Sequence, residues 1–142
     1  MIRLATTYDR KEIIQMMLEF QDEVDGVLKV NNEPYWHKLL DSIFAGAGAV
    51  FIAEGKGLLM SVVAPSMFCD KTLVLHEIAW YVRPPFRNGT TGYRLLDAYT
   101  DLGNRLKDEG RIALFTVSKL VTSKPINYER LGYIKHHETW GH

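Results

Sequence analysis

The 142-residue sequence contains a single cysteine, Cys69. One thiol cannot build an internal disulfide framework or a cysteine-cluster zinc site, which favours a reducing compartment. Neither charge sign is in excess: Lys+Arg and Asp+Glu both count 17. No broad field therefore exists to draw in nucleic acid or an anionic membrane. No apolar run approaches the roughly 20 residues of a membrane span. The opening Met1-Ile2-Arg3-Leu4-Ala5 lacks the basic-then-apolar pattern of a secretory signal. Repeats and low-complexity tracts are missing, and no linker divides the chain. These absences lead us to expect one cytoplasmic domain over residues 1–142, with no nucleic-acid or membrane partner.

What is present is the composition of an ordinary globular protein, 46% hydrophobic and 24% charged. Residues 2–5 suit a short strand, and Thr6 or Thr7 with Asp9 suits a helix start. Ile13, Met17, Phe20 and Val24 recur at helical spacing, with Ile14 and Met16 beside them, and Gly26 closes the segment. Asn31-Asn32-Glu33-Pro34 predicts a second helix start, its buried face made by Tyr35, Leu39, Ile43 and Phe44. Residues 49–53 and 58–63 flank a glycine-bearing turn and predict a hairpin. Residues 65–70 read as a loop and 72–82 as a longer strand, ended by Pro84-Pro85. Leu95, Tyr99, Leu102 and Leu106 predict another helix, stopped at Gly110. A strand over 112–117, a short helix over 123–130 and a strand over 133–139 complete a mixed α/β order, β-α-α-β-β-β-α-β-α-β.

The stretch Val82-Arg83-Pro84-Pro85-Phe86-Arg87-Asn88-Gly89-Thr90-Thr91-Gly92-Tyr93 runs from strand through turn to helix. The first turn of a helix leaves N–H groups without internal partners, at the end where the dipole favours an anion. A phosphate there accepts several of them. Gly89 and Gly92 let a ligand approach the backbone and permit unusual dihedrals. Arg87 and Arg83 offer countercharge, and Thr90 and Thr91 offer hydroxyls. The same residues also suit a plain turn and cap. The stretch is neither a Walker loop nor a dinucleotide fingerprint.

This stretch resembles motif A of the GCN5-related N-acetyltransferase (GNAT) superfamily, Gln/Arg-x-x-Gly-x-Gly/Ala. Aligned on Arg87 and Gly92, the chain reads Arg-Asn-Gly-Thr-Thr-Gly, with Thr90 at the family's first glycine and Gly89 one place earlier. The opening Ile2 to Thr6 with Asp9, the sequence Val82-Arg83-Pro84, and Tyr128-Glu129-Arg130-Leu131-Gly132-Tyr133 are similar to three other family landmarks, in order. The resemblance spans nearly the whole chain. It implies a GNAT-like acyl-CoA N-acyltransferase fold whose mixed sheet splays after the fourth strand. It implies acetyl-CoA as co-substrate, its pantetheine arm along the backbone of Trp80, Tyr81 and Val82. Its diphosphate would lie on Arg87, Asn88, Gly89, Thr90, Thr91, Gly92 and Tyr93.

Acyl transfer to an amine needs a proton acceptor, stabilisation of the carbonyl oxygen and help for the leaving sulfur. The resemblance makes Tyr128 the donor to the leaving thiolate; the alternative is a core tyrosine with a satisfied hydroxyl. Glu77 interrupts an apolar strand. Strict alternation groups it with Leu73, Leu75, Ala79 and Tyr81, and His76 with Val74, Ile78, Trp80 and Val82. The resemblance makes Glu77 a base; the alternative is a surface carboxylate or an ion pair. Ser118 is placed to bond the coenzyme arm. Val121 stands where the family often has asparagine, with Asn127 next to Tyr128 as a substitute. His76 reads as a packed residue. His136, His137 and His142 read as a solvated tail, so no metal site is expected. Cys69 lacks an activating neighbour.

The acceptor is an amine-bearing small molecule or protein. Asp22, Glu23, Asp25 and Glu33 are acidic groups that could attract it, and Tyr35, Trp36 and Phe68 could wall a pocket; the alternative, a solvated helix end with core aromatics, suits these residues slightly better. Family members are monomers or homodimers. The rival reading is an inactive acyl-CoA sensor or interaction module on the same fold, favoured by Thr90 and Val121.

Overall fold

The computed structural model describes residues 1–24, 32–118 and 126–136. Strand β1 (Ile2–Leu4) leads through a 3₁₀ turn into α1 (Arg10–Glu23). Helix α2 (Glu33–Ser42) precedes β2 (Gly48–Ala53), β3 (Gly57–Ser66) and β4 (Cys69–Val82). Helix α3 (Thr91–Asp108) then crosses to β5 (Leu114–Thr116). The sheet order is β1-β2-β3-β4-β5. The first four strands are antiparallel, as tight turns allow, whereas β4 and β5 are parallel, as a helical crossover requires.

The apolar spacings explain the layers. On one face Ile13, Met16, Leu40 and Ile43 pack on Val50, Ile52, Leu58, Met60 and Tyr81. On the other, Leu95, Leu96, Tyr99 and Leu106 of α3 pack on Phe51, Leu59 and Leu75. Asn32 caps α2 by accepting the Tyr35 N–H at 3.2 Å. Gly110, at φ +73°, ends α3 in the left-handed conformation that glycine tolerates best. Arg3 forks onto both Asp9 oxygens at 2.8 Å, tying β1 to the turn before α1. The same pairing holds the Asp9 carboxyl near a pKa of about 2.

Several expectations are corrected. Residues 65–70 are not a loop: β3 runs to Ser66 and β4 starts at Cys69, joined by the two-residue turn Met67-Phe68. Cys69 is therefore the first residue of a strand, and its thiol is pulled down by the Thr72 hydroxyl and the Lys71 amide. Tyr35 is 59% exposed, while Leu40 and, just past the end of α2, the expected Ile43 are buried. The expected helix over 123–130 appears only as a 3₁₀ turn, Glu129–Leu131; residues 123–125 lie outside the described residues. The expected last strand is not formed over 133–136, and its remainder lies outside the described residues. The Tyr133 N–H folds back onto the Tyr128 carbonyl, and Gly132 turns the chain at φ +89°.

Gly103 sets the spacing between α3 and β5. A Cβ there would stand 2.4 Å from the Phe115 ring. Gly103→Ala gains about 1 kcal/mol of helix propensity. Overpacking a filled core costs about 1–3 kcal/mol, so the net change is destabilising. Urea denaturation is expected to show a lower midpoint; an unchanged or higher one would mean that Phe115 moves aside freely.

Candidate active site at the strand split

Strands β4 and β5 pair only over Val74↔Leu114, Leu75↔Phe115 and His76↔Thr116. Tyr99, fully buried, donates its hydroxyl to the Thr116 carbonyl at 2.5 Å, with the Leu75 carbonyl at 3.3 Å. One side chain of α3 therefore straps both strands at their last shared rungs. Beyond them β4 continues to Val82, paired with β3 alone among the described residues. Its other edge offers unpaired main-chain groups to whatever enters the gap.

A β-bulge decides which side chains meet there. Met60 faces Ala79 and Ser61 faces Glu77, so Ile78 is an extra residue in β4. The extra residue reverses the alternation. Leu73, Leu75 and Glu77 share the α3 face with Trp80 and Val82, while Ala79 and Tyr81 face α1. The grouping expected from strict alternation is wrong in that respect, and Glu77 stands with Trp80 and Val82. His76 stays on the opposite face, its Nδ1 3.0 Å from the Thr116 hydroxyl.

Burial pushes the Glu77 carboxyl up to about 7, against a smaller opposing effect of the Ser118 N–H, which donates to it at 3.2 Å. That bond places the Ser118 backbone, with its exposed side chain, at the mouth of the split. The Tyr128 ring packs into the α3-side core, edge-on to Tyr133 at 6.3 Å between centroids. Its hydroxyl is buried without a partner among the described residues. Burial and then the Glu77 charge raise its pKa. Such an unmet buried hydroxyl is uncommon in a native fold. Asn127 does not point toward this chemistry, since its Oδ1 accepts the Arg130 N–H at 3.0 Å. Val121 lies outside the described residues.

At the far end of β4, the first helical bond of α3 runs from the Arg94 N–H to the Thr90 carbonyl at 2.9 Å. The N–H groups of Thr90, Thr91, Gly92 and Tyr93 precede it and lack helical partners. Gly92 sits over Trp80 and Val82: a Cβ there would meet Val82 Cγ2 at 3.6 Å and Trp80 Cζ2 at 4.0 Å, ordinary contacts. Around Gly89 nothing lies nearer than the Phe86 carbonyl at 3.9 Å. Neither glycine has a positive φ, so the unusual dihedrals expected of them are absent. The protein's own packing requires glycine at neither position. Asn88, Gly89, Thr90 and Tyr93 are exposed.

The arginines beside this tip are already engaged. Arg87 Nε donates to the Val82 carbonyl at 2.6 Å, and its Nη2 to both Glu23 oxygens at 2.6 and 2.7 Å. Its guanidinium lies 5.6 Å from the centroid of the Tyr81 ring. Arg83 forks onto Glu19 at 2.9 and 3.0 Å. The Tyr81 hydroxyl also donates to Glu19, at 3.3 Å, so this side chain faces away from the split. Glu23 is thus an ion-pair partner, which leaves Asp22 and Glu33 as the exposed described members of the acidic set; Asp25 lies outside the described residues. Phe68 is 88% exposed at the tip of the β3–β4 turn.

An open cleft of about 490 Å³ lies between α1 and α2 and includes Arg10, Lys11, Gln15, Glu33 and His37. None of its lining residues belongs to the split, where the perturbed carboxyl of Glu77 and, without a partner among the described residues, the Tyr128 hydroxyl lie. Among the described residues, no group of three or more His, Cys, Asp or Glu side chains is placed to hold a metal ion. Among them, too, no helix is long and apolar enough to cross a membrane.

No family model matches the chain, and no curated protein matches it. Solved structures do. The chain is similar to an integron cassette protein from the mobile metagenome of Cole Harbour Salt Marsh, at 20% identity and TM-score 0.70, over 99% of this chain and 88% of that one. It is similar to a predicted acetyltransferase from Clostridium acetobutylicum solved with acetyl-CoA, at 14% identity and TM-score 0.69, over 99% and 94%. It is also similar to an aminoglycoside acetyltransferase from an uncultured soil metagenomic sample, at 17% identity and TM-score 0.65, over 100% and 92%. The chain therefore has the GNAT-like acyltransferase fold, a mixed sheet parted between β4 and β5 with α1 and α2 on one face and α3 on the other.

Proposed function

We propose that this protein is an N-acetyltransferase that moves an acetyl group from acetyl-CoA to a primary amine by direct attack. The observation that carries this reading is the meeting, on one face of the parted strands, of a half-buried carboxyl that desolvation holds near neutrality and a phenol whose buried hydroxyl finds no partner among the described residues. Their surroundings fit the coenzyme: the outer edge of β4 around Trp80 to Val82, where Arg87 already holds the Val82 carbonyl, suits the pantetheine arm, and the amides of Thr90 to Tyr93, which lack helical partners, suit the diphosphate. When bound, acetyl-CoA supplies an activated thioester whose thiol is the leaving group.

The chain's residues then have distinct tasks. Glu77 accepts a proton from the incoming ammonium at its carboxylate, which its raised pKa of about 7 suits. Tyr128 holds its phenolic proton at neutral pH and gives it where the sulfur departs. The apolar walls of the α3-side core keep water from the pair. A second reading, an acyl-CoA sensor without turnover, is favoured by the pairing of Arg83 and Arg87 with α1 carboxylates, which removes their free countercharge. Titration with acetyl-CoA followed by thiol release over an amine panel separates the two. Binding without release on any amine would favour the sensor.

Tyr128→Phe is expected to lower kcat by roughly 10²-fold with little change in the dissociation constant for acetyl-CoA. Steady-state kinetics beside calorimetric titration checks this, and an unchanged kcat removes Tyr128 from the chemistry. Gly92→Asp adds a carboxylate where the helix itself welcomes one and where space exists, so folding is expected to hold. Coenzyme binding is expected to weaken at least tenfold through repulsion of the diphosphate. Normal affinity in a folded Gly92→Asp variant would remove the diphosphate from this helix tip.

Glu77 also predicts a pH dependence. Activity is expected to rise with pH through about 7 as the base ionises. Stability runs the other way. The folded pKa lies above the ordinary 4.5, so the folded state holds a proton that the unfolded chain releases, and stability falls as pH rises from about 4.5 through about 7. Glu77→Gln is expected to leave stability nearly unchanged at pH 4 and to raise it by up to about 3 kcal/mol at pH 8. Denaturation at both pH values is the check; equal shifts at the two would show that Glu77 is not desolvated.

A further inference from the structure

Two of the sequence's motif arginines do not stand as free cations beside the coenzyme loop. Arg83 and Arg87 are four residues apart across the Pro84–Phe86 turn, and Glu19 and Glu23 are four residues apart on α1. The spacings match, so the pairs close like successive rungs: Arg83 with Glu19, Arg87 with Glu23. Each arginine also grips main chain. Arg83 Nη1 donates to the Gly55 carbonyl at 3.1 Å, and Arg87 Nε to the Val82 carbonyl at 2.6 Å. Glu12, one turn-pair earlier on α1, accepts the Gly55 N–H at 2.6 Å and lies 4.0 Å from Arg83. One face of α1 is thereby fastened to both the β2–β3 turn and the segment that enters α3.

We infer that Glu19 and Glu23 are positioning residues for coenzyme binding: through Arg83 and Arg87 they brace the turn that delivers the α3 amides. This inference rests on the proposed acetyltransferase reading. It reverses the expected task of Arg87, from a direct partner of the diphosphate to a strut. The geometry favours the strut. The Arg87 fork is spent on Glu23, its Nε on Val82, and its plane on the Tyr81 ring, so leaving for a phosphate would break three contacts at once. The turn is tied within itself, the Phe86 N–H to the Arg83 carbonyl at 2.9 Å and the Arg87 N–H to the Pro84 carbonyl at 3.2 Å, and to the β2–β3 turn, where the Arg83 N–H donates to the Lys56 carbonyl at 2.7 Å and the Lys56 ammonium lies 5.5 Å from the Phe86 ring centroid. The two ion pairs fasten it to α1.

Glu23→Gln separates strut from partner by the sign of its effect. A strut predicts weaker binding, with the dissociation constant and KM for acetyl-CoA raised about three- to fivefold and kcat unchanged. A direct partner predicts tighter binding, because the variant frees a cation for the diphosphate; tighter or unchanged binding overturns the inference. Glu19→Gln is expected to act in the same direction. Asp41→Asn, which removes the Arg10–Asp41 pair between α1 and α2, is expected to leave the dissociation constant alone. Amide exchange in the coenzyme-free protein gives a second reading. Protection at Phe86 and Arg87 is expected to fall in Glu23→Gln and not in Asp41→Asn, and equal protection overturns the brace. If the wild-type chain binds no acetyl-CoA, the acetyltransferase reading fails, and the exchange result alone upholds or overturns the brace.

Discussion

The parting of β4 from β5 is the constraint on which the rest depends. Two parallel strands would ordinarily continue side by side, each satisfying the other's main chain. Here the extra residue Ile78 turns the outer edge of β4, and Tyr99 fastens the strands up to His76 and Thr116. The strap and the bulge are adjacent, so pairing stops at a defined rung. Without the strap the sheet would fray further down; without the bulge Glu77 would share a face with Ala79 and Tyr81, packed against α1. A single inserted residue therefore decides both where a ligand has room and which carboxyl meets it.

Helix α3 works at both ends of this opening. Its middle supplies Tyr99 and the small Gly103, which lets Phe115 of β5 sit against the helix axis. Its amino end rests on Trp80 and Val82 through Gly92 and exposes free amides. The helix thus fixes, by its own rigid length, the distance between its amino end and the Glu77–Tyr128 pair. On the opposite face α1 fastens the turn before α3 through two ion pairs. Exposed pairs of this kind each contribute little to overall stability. Their value is local, since they join to α1 a turn that is otherwise tied to itself and to the β2–β3 turn.

The helices, the first hairpin and the strand–turn–helix sequence were legible from apolar spacing, glycines and prolines, because those features act within a few residues. The same holds for Asn32 as a cap and Gly110 as a stop. The turn Met67-Phe68 was not legible, since it lacks the Asn and Gly residues that mark tight hairpins. The bulge left no trace either: an inserted isoleucine in an apolar strand looks like any other strand residue. Glu77 could be singled out as a carboxylate among apolar neighbours, yet its face could not. Arg87 shows the limit of motif reading in another form. The motif names the residue, but its partner Glu23 lies 64 positions away in the sequence, and only the packing of α1 on β4 brings the two together.

The two groups at the split are coupled in a way that suits their proposed order of action. While Glu77 is ionised, its charge raises the Tyr128 pKa and keeps the phenol protonated. Once the carboxylate has taken a proton from the amine, that charge is gone and the phenol becomes a stronger acid. The donor is therefore held back before attack and released after it, with no change of conformation. The same desolvation that tunes Glu77 disfavours its charged form in the folded state, and a Tyr128 hydroxyl buried without a partner among the described residues adds a further cost. A fold selected for stability alone would replace both with apolar groups of similar shape. That two such unfavourable groups lie together, at the one place where the sheet opens, is better explained by a task than by packing.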